Sequence, residues 1–169
     1  MGVRRLSLAL AVVWMAGAPA AAQESPDVLR ACRRADLIGL WHVIRFGFAA
    51  GAAVDRSDPA YRIHQRYVFN SNATMAYVAS ATPLTIEQER ALAGVPAPVT
   101  WALDAGGRLL RQRPGAARLE TSECRVVTQP LRDPRSPVPA LAGDVLLTDQ
   151  GEDARPIARR LLRKVPSGE

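Results

Sequence analysis

Two histidines, His42 and His64, and two cysteines, Cys32 and Cys124, are the residues of this 169-residue chain best suited to metal ligation or nucleophilic chemistry. Both histidines fall in segments that alternate like strands. On adjacent strands they would meet, and an acid such as Asp144 would complete a metal set. Two half-exposed strand histidines need no such explanation, and no metal is assigned. A nucleophile would have to sit beside one of these histidines, yet no G-x-S-x-G, HExxH or EF-hand pattern occurs. Neither Cys belongs to a CxxC or has a His close in sequence. Gly106-Gly107 runs into Arg108 and a strand, where a phosphate-cradling loop needs a Lys and a helix. Glu120 and Glu123 differ in strand parity and should face opposite ways. Glu87 and Glu89 sit early in a helix, where the dipole favours acids. The sequence therefore predicts no catalytic residue, no cofactor and no enzyme.

The elements that carry these residues begin after an export signal. Arg4 and Arg5 precede an apolar run from Leu6 to Met15, broken by Gly17 and Pro19. Ala20-Ala21-Ala22 is a small-residue cleavage site, so residues 1–22 read as a signal peptide and 23–166 as one mature domain. The run is short for a bilayer span, and no second run is long enough. Without Arg4 and Arg5 the excess of basic residues falls from six to four. The basic residues are scattered, with few aromatics between them, which argues against nucleic-acid binding. A periplasmic or secreted location follows. In that oxidising setting two cysteines read as a Cys32–Cys124 disulfide.

Ser25-Pro26-Asp27 has the form of a helix start, and Val28, Leu29, Cys32 and Ala35 follow at helical spacing, which predicts a short helix over about 26–35. From residue 37 the period changes to two. Strands are expected over 40–46, 62–69, 74–80, 99–103, 108–112, 119–128, 145–148 and 157–165. A small inserted helix is expected from Thr82-Pro83 through Leu92, capped by Thr85 with Gln88 reciprocating and stopped by Gly94. Residues 47–60 and the Pro-rich residues 129–142 read as loops. No βαβ alternation appears. The expected fold is mainly β: a single antiparallel up-and-down barrel of about eight strands, with a short N-terminal helix and one small inserted helix.

Leu37-Ile38-Gly39-Leu40-Trp41-His42-Val43 places a Gly-x-Trp at the opening of the first long strand. It resembles the lipocalin and calycin superfamily, particularly bacterial lipocalin-like domains. Tyr67-Val68-Phe69-Asn70-Ser71-Asn72-Ala73-Thr74-Met75 is similar to a hairpin of those domains. Gly143-Asp144-Val145-Leu146-Leu147-Thr148 followed by Ala158-Arg159-Arg160-Leu161 is similar to their closing hairpin. The resemblance implies that Gly39 and Trp41 close one end of the barrel, with Arg159 or Arg160 lying across the indole.

Two functions are expected from this reading. The first is binding of a small hydrophobic molecule inside the barrel, lined by one parity of the strands: Ile63, Tyr67, Phe69, Met75, Tyr77, Trp101 and Leu103. The same residues would also serve as a dry core. The second is a periplasmic protein-binding barrel, such as a protease inhibitor or accessory factor, which would meet its partner through loop 47–60 or loop 129–142.

Overall fold

Eight strands follow one another in an antiparallel meander. They are β2 (Gly39–Phe48), β3 (His64–Phe69), β4 (Thr74–Ser80), β5 (Val99–Leu103), β6 (Arg108–Gln112), β7 (Glu120–Val127), β8 (Val145–Gln150) and β9 (Pro156–Lys164). The computed structural model describes residues 27–94, 97–134 and 136–166; the signal peptide expected over residues 1–22 lies outside them. Each strand pairs with its sequence neighbours, and β9 returns to β2, with Trp41 opposite Lys164 and Phe48 opposite Ala158. The sheet is thus a closed eight-stranded barrel. Closure leaves no open edge among these strands, which explains how short strands of five to ten residues form a stable sheet.

The segment before the barrel differs from expectation. Leu29–Ala31 is a strand, β1, paired with Val127–Arg125 of β7. The helix there is one turn, α1 (Arg34–Leu37), in place of a helix over 26–35. Helical spacing of apolar residues is a weak signal over so few residues. Here the unpaired edge of β7 beyond the end of β6 wins, because it offers backbone partners that an isolated short helix lacks. β1 continues the line of β6 along that edge. Their junction is tight: a Cβ on Gly107 would lie 2.8 Å from the Ala31 Cβ, and Gly107 has a φ of +77°. Glycine is needed there on both counts.

A register shift between Val43 and Arg45 changes which face of β2 is inward. Trp41 and Val43 point into the core before it, and Phe46 packs against the core after it. β2 also runs on to Phe48, so the first long loop is 49–63, with a single 3-10 turn at Pro59–Tyr61. The inserted helix α2 (Ile86–Gly94) starts on the expected box. Thr85 N–H donates to Gln88 Oε1 at 2.9 Å, and Gln88 N–H donates to Thr85 Oγ1 at 3.3 Å.

The β3–β4 turn places an alanine where the backbone is left-handed. Ala73 has a φ of 65°, while Asn70 N–H donates to Thr74 O at 2.8 Å and Ala73 N–H donates to Asn70 O at 3.2 Å. An alanine in that region costs about 1 kcal/mol relative to glycine. Ala73→Gly is expected to raise stability by about 0.5–1 kcal/mol, partly offset by the greater freedom of glycine in the unfolded chain. Denaturant unfolding of the two proteins side by side measures it.

Candidate functional site

One end of the barrel is sealed. The Trp41 ring is 1% exposed, and its Nε1–H donates to Leu37 O at 2.6 Å, which ties the ring to α1. Leu37 is fully buried beside it. Arg34 of α1 lies 4.8 Å above the Trp101 ring and donates to Ser71 O in the β3–β4 turn. The cation over Trp41 is Lys164, 5.6 Å from the ring centroid. This corrects the expectation of Arg159 or Arg160. The register makes Lys164 the direct cross-strand partner of Trp41, whereas Arg160 lies opposite Phe46 and Arg159 opposite Gly47. Gly39 also has a role in this contact. Its φ is +128°, and a Cβ there would meet Lys164 Cε at 2.9 Å. The glycine thus leaves the path by which the Lys164 stem reaches the indole.

Cys32 and Cys124 form a disulfide between the segment joining β1 to α1 and the middle of β7. Both sulfurs lie in the hydrophobic core. Backbone bonds flank the bridge, with Cys32 N–H donating to Cys124 O and Cys124 N–H donating to Gly107 O. A buried disulfide fits an oxidising compartment.

Four of the residues expected to line a ligand cavity belong to the packed core of the barrel. Tyr67, Phe69, Met75 and Trp101 are buried against one another and against Leu109, Leu147 and Leu162. Tyr67 and Phe69 stack at 5.9 Å, and Phe69 meets Trp101 edge-on at 5.4 Å. Tyr77 and Leu103 are partly buried and pack on this cluster. Ile63 does not belong to it. It is 63% exposed and precedes β3, because the chain turns at Arg62, whose carbonyl accepts from Gln65 Nε2 at 2.6 Å. The inward residue at the start of β3 is Gln65.

The opposite end of the lumen is polar, which sequence reasoning missed. Arg111 of β6, Ser122 of β7, Asp149 of β8, Arg160 of β9 and Gln65 are all buried there. Asp149 accepts from Ser122 Oγ at 2.6 Å, from Arg111 Nη2 at 3.1 Å and from Arg160 Nη1. Arg111 Nη2 also donates to Ser122 Oγ at 2.9 Å, and Arg160 Nε donates to Gln65 Oε1 at 2.6 Å. Burial opposes the charged form of Asp149, but the two guanidiniums and the Ser122 hydroxyl outweigh it and hold the carboxyl below its ordinary value. Arg111 Nε is buried without a hydrogen-bond partner. Loop 49–63 covers this end. Ala60 O accepts from the Tyr77 hydroxyl at 2.7 Å, and the Tyr61 ring stacks on Phe46 at 6.1 Å.

The histidines are not brought together as a metal set. His42 lies opposite Arg66 and His64 opposite Ser80. Asp144 is held by Arg163 Nε at 3.0 Å and Nη2 at 2.7 Å. The neighbour of His42 is Glu89 of α2, with Nε2 3.4 Å from Oε1, and Arg66 Nη2 lies 2.7 Å from the same oxygen. Burial, then Arg66, pushes the His42 pKa down against the pull of Glu89. No group of three or more metal-binding side chains occurs among the described residues.

A concave apolar surface lies on the outside wall. The Pro-rich loop folds back along β2, β8 and β9, where Arg45 Nη2 meets Asp133 Oδ2 at 3.0 Å and Arg163 Nη2 donates to Pro139 O at 3.0 Å. Between loop and wall is a groove of about 420 Å³, lined by Leu131 and Val138 of the loop, Leu146 and Leu161 of the wall, and Phe48 at the end of β2. Leu146 and Leu161 are cross-strand partners. Arg159 lines the groove, is exposed, and makes no ion pair among the described residues. No family model, no curated protein and no solved structure matches the chain.

Proposed function

We propose that this chain is an exported, lipocalin-like barrel without catalytic activity that binds a partner protein, taking an extended apolar segment of it into the outer groove. The observation that carries this reading is the placement of the concave apolar surface. It lies outside the barrel, between the Pro-rich loop and the β8–β9 wall, while aromatic and aliphatic side chains fill the apolar part of the lumen. A loop propped against a rigid sheet is a common way of presenting a recognition surface. The basic charge of Arg159 at the groove selects a partner segment with an acidic side chain beside its apolar ones. Export rests on the signal-like residues 1–22 and on the buried disulfide.

Fluorescence anisotropy with short labelled peptides tests the reading. Peptides of alternating Leu and Val with one Glu should bind. The same peptides with Lys in place of Glu should bind about tenfold more weakly or worse. Arg159→Glu should reverse that preference, and Leu146→Asp should abolish binding. The proposal fails if no peptide binds, or if one hydrophobic dye molecule enters each barrel with an affinity that Leu146→Asp leaves unchanged. The second result would favour a small-molecule carrier that uses the lumen.

A further inference from the structure

We infer that the polar end of the lumen is a binding site for a small carboxylate, taken up between Arg111 and Arg160 beneath loop 49–63. This site is separate from the outer groove and does not depend on the groove's function.

The first observation is the charge count. Two buried guanidiniums share one buried carboxylate, Asp149. The nearest further acid to Arg111 is Glu120, 3.7 Å away, half-exposed and bonded more closely to Arg113 at 2.6 Å. The interior therefore holds an excess of positive charge. Burying an uncompensated ion costs several kcal/mol. A fold that served stability alone would do better with one arginine fewer. A second anion removes the excess.

The second observation is the unmet hydrogen bonding. Arg111 Nε is buried and has no partner, although Arg111 itself is only 9% exposed. Arg160 Nη2 has the backbone carbonyl of Ala60 at 3.5 Å, a long contact for a charged donor. That carbonyl belongs to the covering loop. It stands where an acceptor with a full negative charge would bind better. A carboxylate is the fitting ligand, since its two oxygens match two guanidinium donors in a plane.

The third observation is the cover. Residues 50–59 of the loop are mostly exposed, and the loop's end is tethered mainly by the Ala60 and Arg62 carbonyls and by the Tyr61 ring against Phe46 and Phe48. Room for a ligand of a few heavy atoms is the volume that the Tyr61 ring and the Ala60 carbonyl now occupy. Uptake moves the loop outward and leaves the barrel wall unchanged.

The experiment uses the disulfide-bonded protein and sodium acetate, with sodium chloride at equal ionic strength as the control. Acetate should shift the Arg111 Nε–H resonance saturably and raise the Tm, by about 5 °C or more at a hundredfold excess over Kd. Arg111→Gln should abolish the acetate-dependent rise in Tm. Tyr61→Ala, which vacates the volume and removes a ring 5.9 Å from the Arg160 guanidinium but none of the side-chain hydrogen bonds of Arg111 or Arg160, should lower the acetate Kd several-fold. The proposal is overturned if the Arg111 resonance does not move, if chloride moves it equally, or if Tyr61→Ala leaves the Kd unchanged or weaker. The resonance is read on the unaltered protein, so a variant that folds poorly does not decide the outcome.

Discussion

Asp149→Ala is expected to destabilise the barrel by about 3–5 kcal/mol, because it strands two buried guanidiniums that have no other buried carboxylate to face. Ser122 Oγ would lose its acceptor at the same time. The effect depends on pH in a defined direction. The Asp149 carboxyl is held below its ordinary value in the folded protein. Its contribution is therefore complete above the unfolded value of about 3.9 and is lost as pH falls through the folded value. Urea unfolding at neutral pH should show the full difference between the two proteins. The difference should shrink progressively on acidification below pH of about 4. A pH-independent gap, or a loss under 1 kcal/mol at neutral pH, would mean that the arginines find compensation elsewhere.

Removing the disulfide is the second large effect. The bridge spans 92 residues of sequence and ties β1 and α1, which precede β2 outside the barrel ring, to the core. Replacing both cysteines by alanine should cost about 2–5 kcal/mol, through the freedom returned to the unfolded chain and the packing lost at two core positions. The loss should also be local. Backbone amides of Leu29–Leu37 should exchange with solvent much faster, while those of β3 and β4 should report only the global drop in stability. Trp41 provides a second readout, because its Nε1–H donates to Leu37 O and its fluorescence should shift if α1 detaches. Equal exchange rates in the parent and the variant over residues 29–37 would show that β1 and α1 are held by pairing alone.

The barrel itself was legible because its signals are local. Tyr67, Phe69, Met75 and Trp101 alternate with outward residues, and Asn70–Ala73 and Asp104–Gly107 mark the turns. All eight ring strands appear where that alternation places them. Four features were hidden for separate physical reasons. β1 was hidden because Val28, Leu29, Cys32 and Ala35 have helical spacing, while the edge of β7 that captures Leu29–Ala31 is nearly a hundred residues away in sequence. The cation over Trp41 was misassigned because register at the closing seam depends on the shift between Val43 and Arg45, which no single strand reveals. The polar lumen was hidden because a search for apolar residues at inward positions passes over Gln65, Arg111, Asp149 and Arg160. The usable signal was charge at inward parity: Arg111 follows Leu109 by two, and Asp149 follows Leu147 by two. The outer groove has no sequence signature, since its walls, Leu131 with Val138 and Leu146 with Leu161, come together only when the Pro-rich loop folds back.

The seam between β2 and β9 also governs how such a molecule can be made. Every other junction in the ring joins strands adjacent in sequence and can form as the polypeptide emerges. This last one joins the opening strand to the final one, so a nascent chain halted before Pro156 is an unrolled sheet with both margins bare. Until β9 is in place, the chain has the sticky borders that the closed cylinder conceals.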